Sequence, residues 1–276
     1  MCPAVCLEVV LIIDQVLVIP CYNEARRFRA ECFAKALANV PNLGLLFVND
    51  GSTDRTSQVL NAFVSAHPNR CLSVELPKNQ GKAEAVRQGF LKAFNPLELA
   101  PGIWSTDALK FIGYWDCDLA TPLSELPYFL EVFSMEPDLT LVMGARIKLL
   151  GRSITRHSYR HYLGRIFATA ASMVLRLPVY DTQCGAKLFK YESGTRALFE
   201  KPFISSWIFD VEILARMSQK KAQTHLEMHR WIYELPLREW KDVDGSKVKP
   251  TDFLKAILSL FRIARAYPHT KSRGSS

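Results

Sequence analysis

The sequence lacks the cysteine patterns that mark disulfide-stapled domains and structural zinc sites. Its seven cysteines are scattered, with no C-x-x-C pair and no histidine at a zinc-binding spacing. Those two classes of protein require such patterns. We therefore expect reduced thiols, as in a protein of the cytosol.

Long hydrophobic runs are also missing. The N-terminal apolar stretches at residues 9–13 and 16–19 are separated by Asp14, and together they are too short to span a bilayer. No leading basic segment marks a signal peptide. The sequence therefore predicts a soluble or peripheral protein and not an integral membrane protein.

Nucleic-acid-binding motifs are absent although the chain is basic. The formal charge is +8 and the isoelectric point is about 9.1, which favours an anionic partner. No recognition helix, RNP motif or zinc finger accompanies this charge. We therefore expect nucleotide phosphates or an acidic membrane surface as partners, and no nucleic acid.

Apolar runs alternate with helix-period segments in the first half of the 276-residue chain. The predicted strands lie at residues 16–20, 45–49, 72–76, 111–115 and 139–143, and the predicted helices at residues 29–38, 57–66, 82–94 and 123–133. This alternation predicts an α/β fold with a mostly parallel central sheet flanked by helices.

The second half has a different pattern. We predict helices at residues 155–177 and 209–217, strands at 186–190 and 231–237, and a final amphipathic helix from residue 251 to about residue 267. The domain organisation is thus one α/β domain over residues 1–250, an amphipathic helix over 251–268 and a disordered tail over 269–276.

Asp116 and Asp118 form a candidate metal site. They follow an apolar strand, and residues i and i+2 of an extended segment point to the same side. Two carboxylates suit Mg²⁺ or Mn²⁺, which take further ligands from substrate phosphates. A D-x-D at a solvated strand end or helix cap is the alternative.

Polar loops follow the other predicted strands and would form a cleft at the same sheet edge. Asp50 could accept a hydrogen bond from a nucleotide base, and Tyr22 could cover a base or ribose. Gly81 and Lys82 at a helix start could bind phosphate through backbone N–H groups and charge. Each loop alone is also compatible with an ordinary turn.

Seven short motifs, taken together, indicate a resemblance to one protein family. They are P-C-Y-N-E (20–24), N-D-G-S-T-D (49–54), N-Q-G-K (79–82), D-C-D (116–118), G-A-R (144–146), D-T-Q-C-G-A-K-L-F (181–189) and W-I-F-D-V-E (207–212). In this order they resemble the family 2 glycosyltransferases of the GT-A fold, within them the dolichyl-phosphate β-glucosyltransferase-like branch of polyprenyl-phosphate glycosyltransferases. Asn49, Ala83 and residues 119–122 depart from the family pattern and leave the sugar and the branch open.

The resemblance implies a nucleotide-sugar site and a metal. The residues that it places around the donor are Pro20, Tyr22, Glu24, Asp50, Lys82, Arg87, Asp116 and Arg146. Asp116 would lie near the ribose and the metal, and Asp118 would be the main ligand of Mg²⁺ or Mn²⁺.

The acceptor side is predicted less directly. Asp210 is the candidate base or acceptor-positioning residue and Asp181 the next, although either carboxylate could instead be structural. Arg146, with Arg156, Arg160 and Arg165, could bind phosphate or form a solvated basic face. The last helix carries an apolar stripe beside basic residues, which suits either a membrane surface or core packing. The stripe consists of Phe253, Ile257, Leu260, Phe261 and Ala264, and the basic residues are Lys255, Arg262 and Arg265.

The resulting hypothesis is an inverting, metal-dependent transfer of glucose from UDP-glucose to a polyprenyl or dolichyl phosphate, by a peripheral protein at the cytosolic membrane face. The alternatives are a GDP-mannose-dependent mannosyltransferase with the same acceptor and a glycosyltransferase acting on a glycan or glycolipid hydroxyl. A nucleotide-sugar-binding protein without activity is the non-enzymatic alternative. The oligomeric state is not predicted.

Overall fold

The computed structural model describes residues 12–95, 104, 107–155, 158–221, 225–243 and 250–268. The predicted disordered tail and most of the first apolar stretch lie outside these residues. No helix of the described part is long and apolar enough to cross a membrane.

The described chain folds into strands and helices that alternate as predicted. The strands are β1 (Gln15–Cys21), β2 (Leu43–Asn49), β3 (Cys71–Glu75), β4 (Phe111–Trp115), β5 (Leu141–Ala145), β6 (Ser153–Thr155), β7 (Ala186–Lys190), β8 (Ile232–Pro236) and β9 (Glu239–Lys241). The helices are α1 (Ala30–Asn39), α2 (Thr56–Ala66), α3 (Lys82–Ala93), α4 (Leu126–Met135), α5 (Ser158–Leu175), α6 (Ser193–Phe199), α7 (Phe209–Lys221) and α8 (Pro250–Ala266), with 3₁₀ turns at Leu123–Glu125 and His225–Arg230.

Seven strands form the central sheet in the order β3-β2-β1-β4-β7-β5-β8. All neighbouring strands are parallel except β7, which is antiparallel to both β4 and β5. The predicted mostly parallel α/β sheet is therefore confirmed. The reversed direction of β7 matters for function, because it brings the residues before β7 to the same sheet edge as the residues after β4.

Helices cover both faces of the sheet, so its central strands are buried on both sides. Every residue of β2 is buried, and the apolar residues of β1 have almost no exposed surface. One apolar cluster lies between the sheet and the face that includes α3, α7 and α8, and a second lies towards α1, α2 and α4. Buried strands of this kind are near-continuous apolar runs, which is why the sequence predicts them well.

The short elements differ from the prediction. The β6 and β9 strands pair in parallel as a separate two-stranded sheet, and α6 spans seven residues; none of the three was predicted. Helix α5 starts at Ser158 and not at 155, because residues 153–155 pair with β9. Three-residue strands carry too little periodicity to be recognised from sequence.

Helix α8 is present over the predicted range, but its buried face differs from the predicted stripe. Ala256, Leu260 and Ile263 face the core, whereas Phe261 of the predicted stripe is 67% exposed. The helix packs against α5 and α7. Core packing therefore accounts for the buried stripe of this helix.

Candidate active site

The predicted donor residues lie at one edge of the sheet. Residues 22–24 follow β1, Asp50 follows β2, the acidic pair follows β4 and Arg146 follows β5. The carboxyl ends of parallel strands meet at one edge, where open α/β sheets bind ligands. Because β7 is antiparallel, the D-T-Q-C-G segment that precedes it reaches this edge as well.

Asp116 is held between β4 and the turn before β7. Its backbone N–H donates to the Gly185 carbonyl at 2.9 Å, and its carboxylate Oδ1 lies 2.6 Å from Lys82 Nζ. A Cβ atom on Gly185 would lie only 1.9 Å from Asp116 Oδ2. Residue 185 must therefore be a glycine for this carboxylate to lie where it does.

Asp118 completes the acidic pair. Its Oδ1 accepts a hydrogen bond from the Ala120 N–H at 3.1 Å. Burial, together with the neighbouring Asp116 carboxylate, raises the pKa of Asp118. Two carboxylates that disfavour each other's charge in a partly buried site would be stabilised by a divalent cation between them.

These oxygen donors fit Mg²⁺ or Mn²⁺. Among the described residues, no group of three or more His, Cys, Asp or Glu side chains is arranged to hold a metal. Within the part of the chain that the structure describes, such an ion would therefore have the carboxylates of Asp116 and Asp118 as its protein ligands, and phosphate oxygens and water would supply others.

Lys82 supplies a cation beside the acidic pair. It is the first residue of α3, preceded by Gly81 with a φ of 94°, and its side chain is 37% exposed. Burial lowers the pKa of Lys82, but the carboxylates of Asp116, Asp210 and Asp118 raise it above its ordinary value overall. The ammonium group is therefore charged at neutral pH and can meet a donor phosphate at the helix N-terminus.

Asp50 joins two of the predicted donor loops. Its buried carboxylate accepts hydrogen bonds from the Gln80 and Gly81 backbone N–H groups, both at 2.8 Å. It thus fixes the turn that presents Lys82. The predicted contact between Asp50 and a nucleotide base stays a prediction, as do the donor contacts of Pro20 and Tyr22.

Asn23 was missed by the sequence analysis although it holds the first two loops together. It has a φ of 52°, its N–H donates to Ser52 Oγ at 2.9 Å, and its side-chain oxygen accepts from the Thr53 N–H at 2.9 Å. Glu24, next to it, accepts a hydrogen bond from Arg27 Nε at 2.8 Å. Such cross-loop pairs have no sequence periodicity from which they could be found.

Arg87 makes its contacts away from the acidic pair. Its guanidinium binds the Glu84 carboxylate through two hydrogen bonds of 2.8 Å and donates to the Glu200 carbonyl at 3.0 Å. These bonds attach the end of α6 to α3, which is a structural role. Its predicted contact with the donor stays a prediction.

Arg146, after β5, and Asp181, before β7, form a bidentate ion pair. The distances are 2.6 Å from Nε to Oδ2 and 2.8 Å from Nη2 to Oδ1, and both side chains are largely buried. Burial lowers the pKa of Arg146, but Asp181 raises it above its ordinary value overall. Glu234 on β8 holds the loop by accepting the Tyr180 and Asp181 N–H groups at 2.8–2.9 Å.

Asp210 lies in the first turn of α7 as part of a buried ion pair. Its Oδ1 accepts hydrogen bonds from Lys187 Nζ at 2.5 Å and from the Tyr114 hydroxyl. Lys187 also donates to the Thr182 and Cys184 carbonyls at 3.0 and 2.8 Å. Lys187 was not among the predicted site residues, although a lysine within the apolar strand β7 is the signal that could have identified it.

The other predicted arginines are only partly described. Arg156 and the side chain of Arg160 lie outside the described residues. Arg165 stacks over the Tyr180 ring at 3.8 Å and donates to the Tyr180 carbonyl at 3.2 Å. It therefore supports the segment that leads into Asp181.

Known proteins with similar sequences are glycosyltransferases. Residues 16–194 match the family described as glycosyl transferase family 2. The dolichyl-phosphate β-glucosyltransferase of Drosophila melanogaster is 31% identical, with 85% of this chain and 69% of that protein aligned. The dolichyl-phosphate β-glucosyltransferase of Saccharomyces cerevisiae is 29% identical, with 91% of this chain and 74% of that protein aligned.

A solved structure with a similar fold is that of glucosyl-3-phosphoglycerate synthase from Mycobacterium tuberculosis in complex with Mn²⁺, UDP and glucosyl-3-phosphoglycerate. Its TM-score is 0.59 and its sequence identity 16%, over 95% of this chain and 82% of that one. At this identity the similarity concerns the fold alone.

Proposed function

Because the chain belongs to glycosyl transferase family 2, we propose that it transfers glucose from UDP-glucose to dolichyl phosphate or a related polyprenyl phosphate, with inversion at the sugar. The observation that carries the proposal is the position of the acidic pair beside Lys82, at the edge where the Gly185 turn meets β4. The site thus offers carboxylates for a metal ion and an ammonium group for the phosphates of a nucleotide diphosphate. The relatives named above support the sugar and the acceptor.

Asp116 and Asp118 would hold Mg²⁺ or Mn²⁺, which would act as a Lewis acid on the leaving diphosphate. Lys82 adds a fixed positive charge at the N-terminus of α3. Both groups stabilise negative charge as it develops on the leaving group, which is where preorganised charge helps most.

The ion pairs made by Asp210 and Asp181 favour a phosphate as the acceptor. A hydroxyl acceptor needs a base, but Asp210 is paired with Lys187 and Asp181 with Arg146. A phosphate monoester has its second pKa at about 6 and is largely dianionic at neutral pH, so it needs no base. Arg146 still has N–H donors beyond those that bind Asp181, and we assign it to the acceptor phosphate.

A lipid acceptor requires the protein to meet a bilayer. We propose a peripheral position at a membrane face, where a water-soluble UDP-sugar and a lipid acceptor can both reach the site. The expected reduced thiols support the cytosolic face. The chain's formal charge of +8 supports attraction to anionic lipid headgroups.

The test is a screen of donors against acceptors. Purified protein with Mg²⁺ or Mn²⁺ is given UDP-glucose or GDP-mannose, with dolichyl phosphate or a glycolipid hydroxyl as acceptor. We expect glucosyl phosphodiester formation from UDP-glucose, abolished in Asp118→Ala. Product from GDP-mannose alone, or on the hydroxyl acceptor alone, would support the corresponding alternative, and loss of all transfer together with intact UDP binding would indicate a binding protein.

A further inference from the structure

An exposed apolar loop leaves the acceptor side of the site. Residues 146–152 connect β5 to β6, and here they are called the acceptor-side loop. Leu150 at its tip is 104% exposed and Leu149 is 48% exposed. No other large apolar side chain of the described residues is as exposed as Leu150, and Leu149 beside it extends the apolar surface that the loop tip presents to water.

The loop is held firmly at both ends. Arg146, its first residue, donates its backbone N–H to Asp181 at 3.1 Å, and its last residue, Arg152, leads into β6, which pairs with β9. The tip closes through a hydrogen bond from the Arg152 N–H to the Leu149 carbonyl at 3.1 Å. Gly151 has a φ of 77°, and a Cβ there would meet nothing within 4 Å. The turn therefore stands away from the body of the protein in a defined conformation.

The charges of the loop complement an anionic surface. Arg146, Lys148 and Arg152 are basic, and the segment contains no acidic residue. Because Arg146 is paired with Asp181, the positive charge that the loop presents to its surroundings comes from Lys148 and Arg152. Glu125 and Glu239, on the elements next to it, are the nearby carboxylates; Glu125 is buried and accepts the Arg238 and Glu239 N–H groups. Exposed leucines flanked by basic residues match the interfacial region of an anionic bilayer, where apolar side chains enter the acyl boundary and cations meet headgroups.

We propose that the acceptor-side loop inserts Leu149 and Leu150 into the cytosolic leaflet and thereby places the Arg146 end of the site against the lipid phosphate. The proposal rests on the proposed function for its acceptor, but not for the lipid contact itself. It assigns the membrane contact to this loop and not to α8, of which Ala256, Leu260 and Ile263 pack in the core while Leu258 and Phe261 remain exposed.

The first test is binding to vesicles. Wild-type protein is mixed with phosphatidylcholine vesicles with and without phosphatidylserine, and partition is measured by flotation at low and high salt. Burial of one leucine in the acyl region strengthens partition by about tenfold or more. We expect Leu149→Ser/Leu150→Ser to weaken partition by at least this factor, and high salt to weaken wild-type binding to the anionic vesicles.

Helix α8 offers a matched control. Leu258 and Phe261 are exposed by 54% and 67%, so Leu258→Ser/Phe261→Ser removes a similar apolar surface elsewhere. We expect this variant to keep wild-type partition. Equal binding by wild type and the loop variant, or loss of binding only in the α8 variant, would overturn the proposal.

A transfer assay separates the loop from the chemistry. With UDP-glucose and a short, water-soluble prenyl phosphate, the loop variant should retain wild-type rates, because Leu149 and Leu150 are exposed and neither is among the predicted donor residues. With dolichyl phosphate in vesicles it should be slow. Absence of transfer by the wild type with either acceptor would refute the proposed function, while vesicle partition would still decide the role of the loop.

Discussion

Gly185 is the residue on which the position of the donor carboxylate depends most directly. Alanine at this position would place its Cβ 1.9 Å from Asp116 Oδ2, so the carboxylate must move. A displacement of about 1 Å in a catalytic group can cost about a hundredfold in rate. We expect Gly185→Ala to lower kcat by about this factor while the protein stays folded, as measured by glucosyl transfer and circular dichroism.

The control is Gly194→Ala in α6, where the nearest atom to a new Cβ is the end of the flexible Glu192 side chain at 3.2 Å. This variant should be nearly as active as wild type. Wild-type kcat in Gly185→Ala would mean that Asp116 does not need its observed position.

Lys187 is the second residue that can be tested alone. Its side chain is 1% exposed and that of Asp210 is 5% exposed, so Lys187→Met leaves a buried carboxylate without its cation. Breaking a buried ion pair in this way costs about 3–5 kcal/mol. We expect a loss of this size in the free energy of unfolding in urea.

The double variant Lys187→Met/Asp210→Asn should regain part of that stability, because it no longer buries an unpaired charge. If the loss of unfolding free energy in the double variant equalled the sum of the losses in Lys187→Met and Asp210→Asn, the two side chains would not be coupled.

At the scale of elements, the loop before α2 allows a prediction on pH. Asp54 Oδ1 accepts a hydrogen bond from the Thr56 N–H, the first amide of the helix, at 2.9 Å. Asp54 is exposed; the desolvation of its carboxylate by neighbouring atoms raises its pKa, but its hydrogen bonds with Thr56 and Ala25 lower it overall. The stabilisation is therefore present above the unfolded pKa of about 4 and lost as the pH falls through the lower folded value.

We expect Asp54→Asn to be less stable than wild type by less than about 1 kcal/mol at neutral pH, because water screens an exposed carboxylate, with the difference shrinking as the pH falls below about 4. Urea unfolding at a series of pH values measures it. A difference that grew on acidification would contradict the assignment.

The strands and helices also differ in how well the sequence predicts them. The strands β1 and β2 were predicted because continuous apolar runs reflect burial on two faces. The direction of β7 was not predicted, because it depends on pairing with β4 and β5, which are distant in sequence. For the same reason the partners of Lys187 and Arg146 could not be predicted, although Asp210 and Asp181 were selected as candidates. In α8 the predicted stripe relied on Phe261, whereas the small residue Ala256 lies in the contact.

For the whole molecule, nucleotide binding should appear as increased stability. A ligand that binds only the folded state stabilises that state by about 2.7 kcal/mol when its free concentration is about one hundred times its Kd. We expect UDP with Mn²⁺ to raise Tm more than GDP with Mn²⁺ does, and Asp118→Asn to lose the Mn²⁺-dependent part of the shift. A larger shift with GDP would instead favour the mannosyl donor.

Strand β7 finally sets an order of assembly. Strands β1 to β3 pair with strands that follow closely in the chain and can associate early, whereas pairing of β4 with β1 and of β7 with β4 requires closure of much longer loops, which is slow. Asp116 gains its bond to the Gly185 carbonyl only at that step. We expect pulse-labelled hydrogen exchange during refolding to show protection of β1–β3 before β7. Under the proposed function, a nascent chain would then be unable to cleave a nucleotide sugar wastefully before the Gly185 turn that fixes Asp116 is in place.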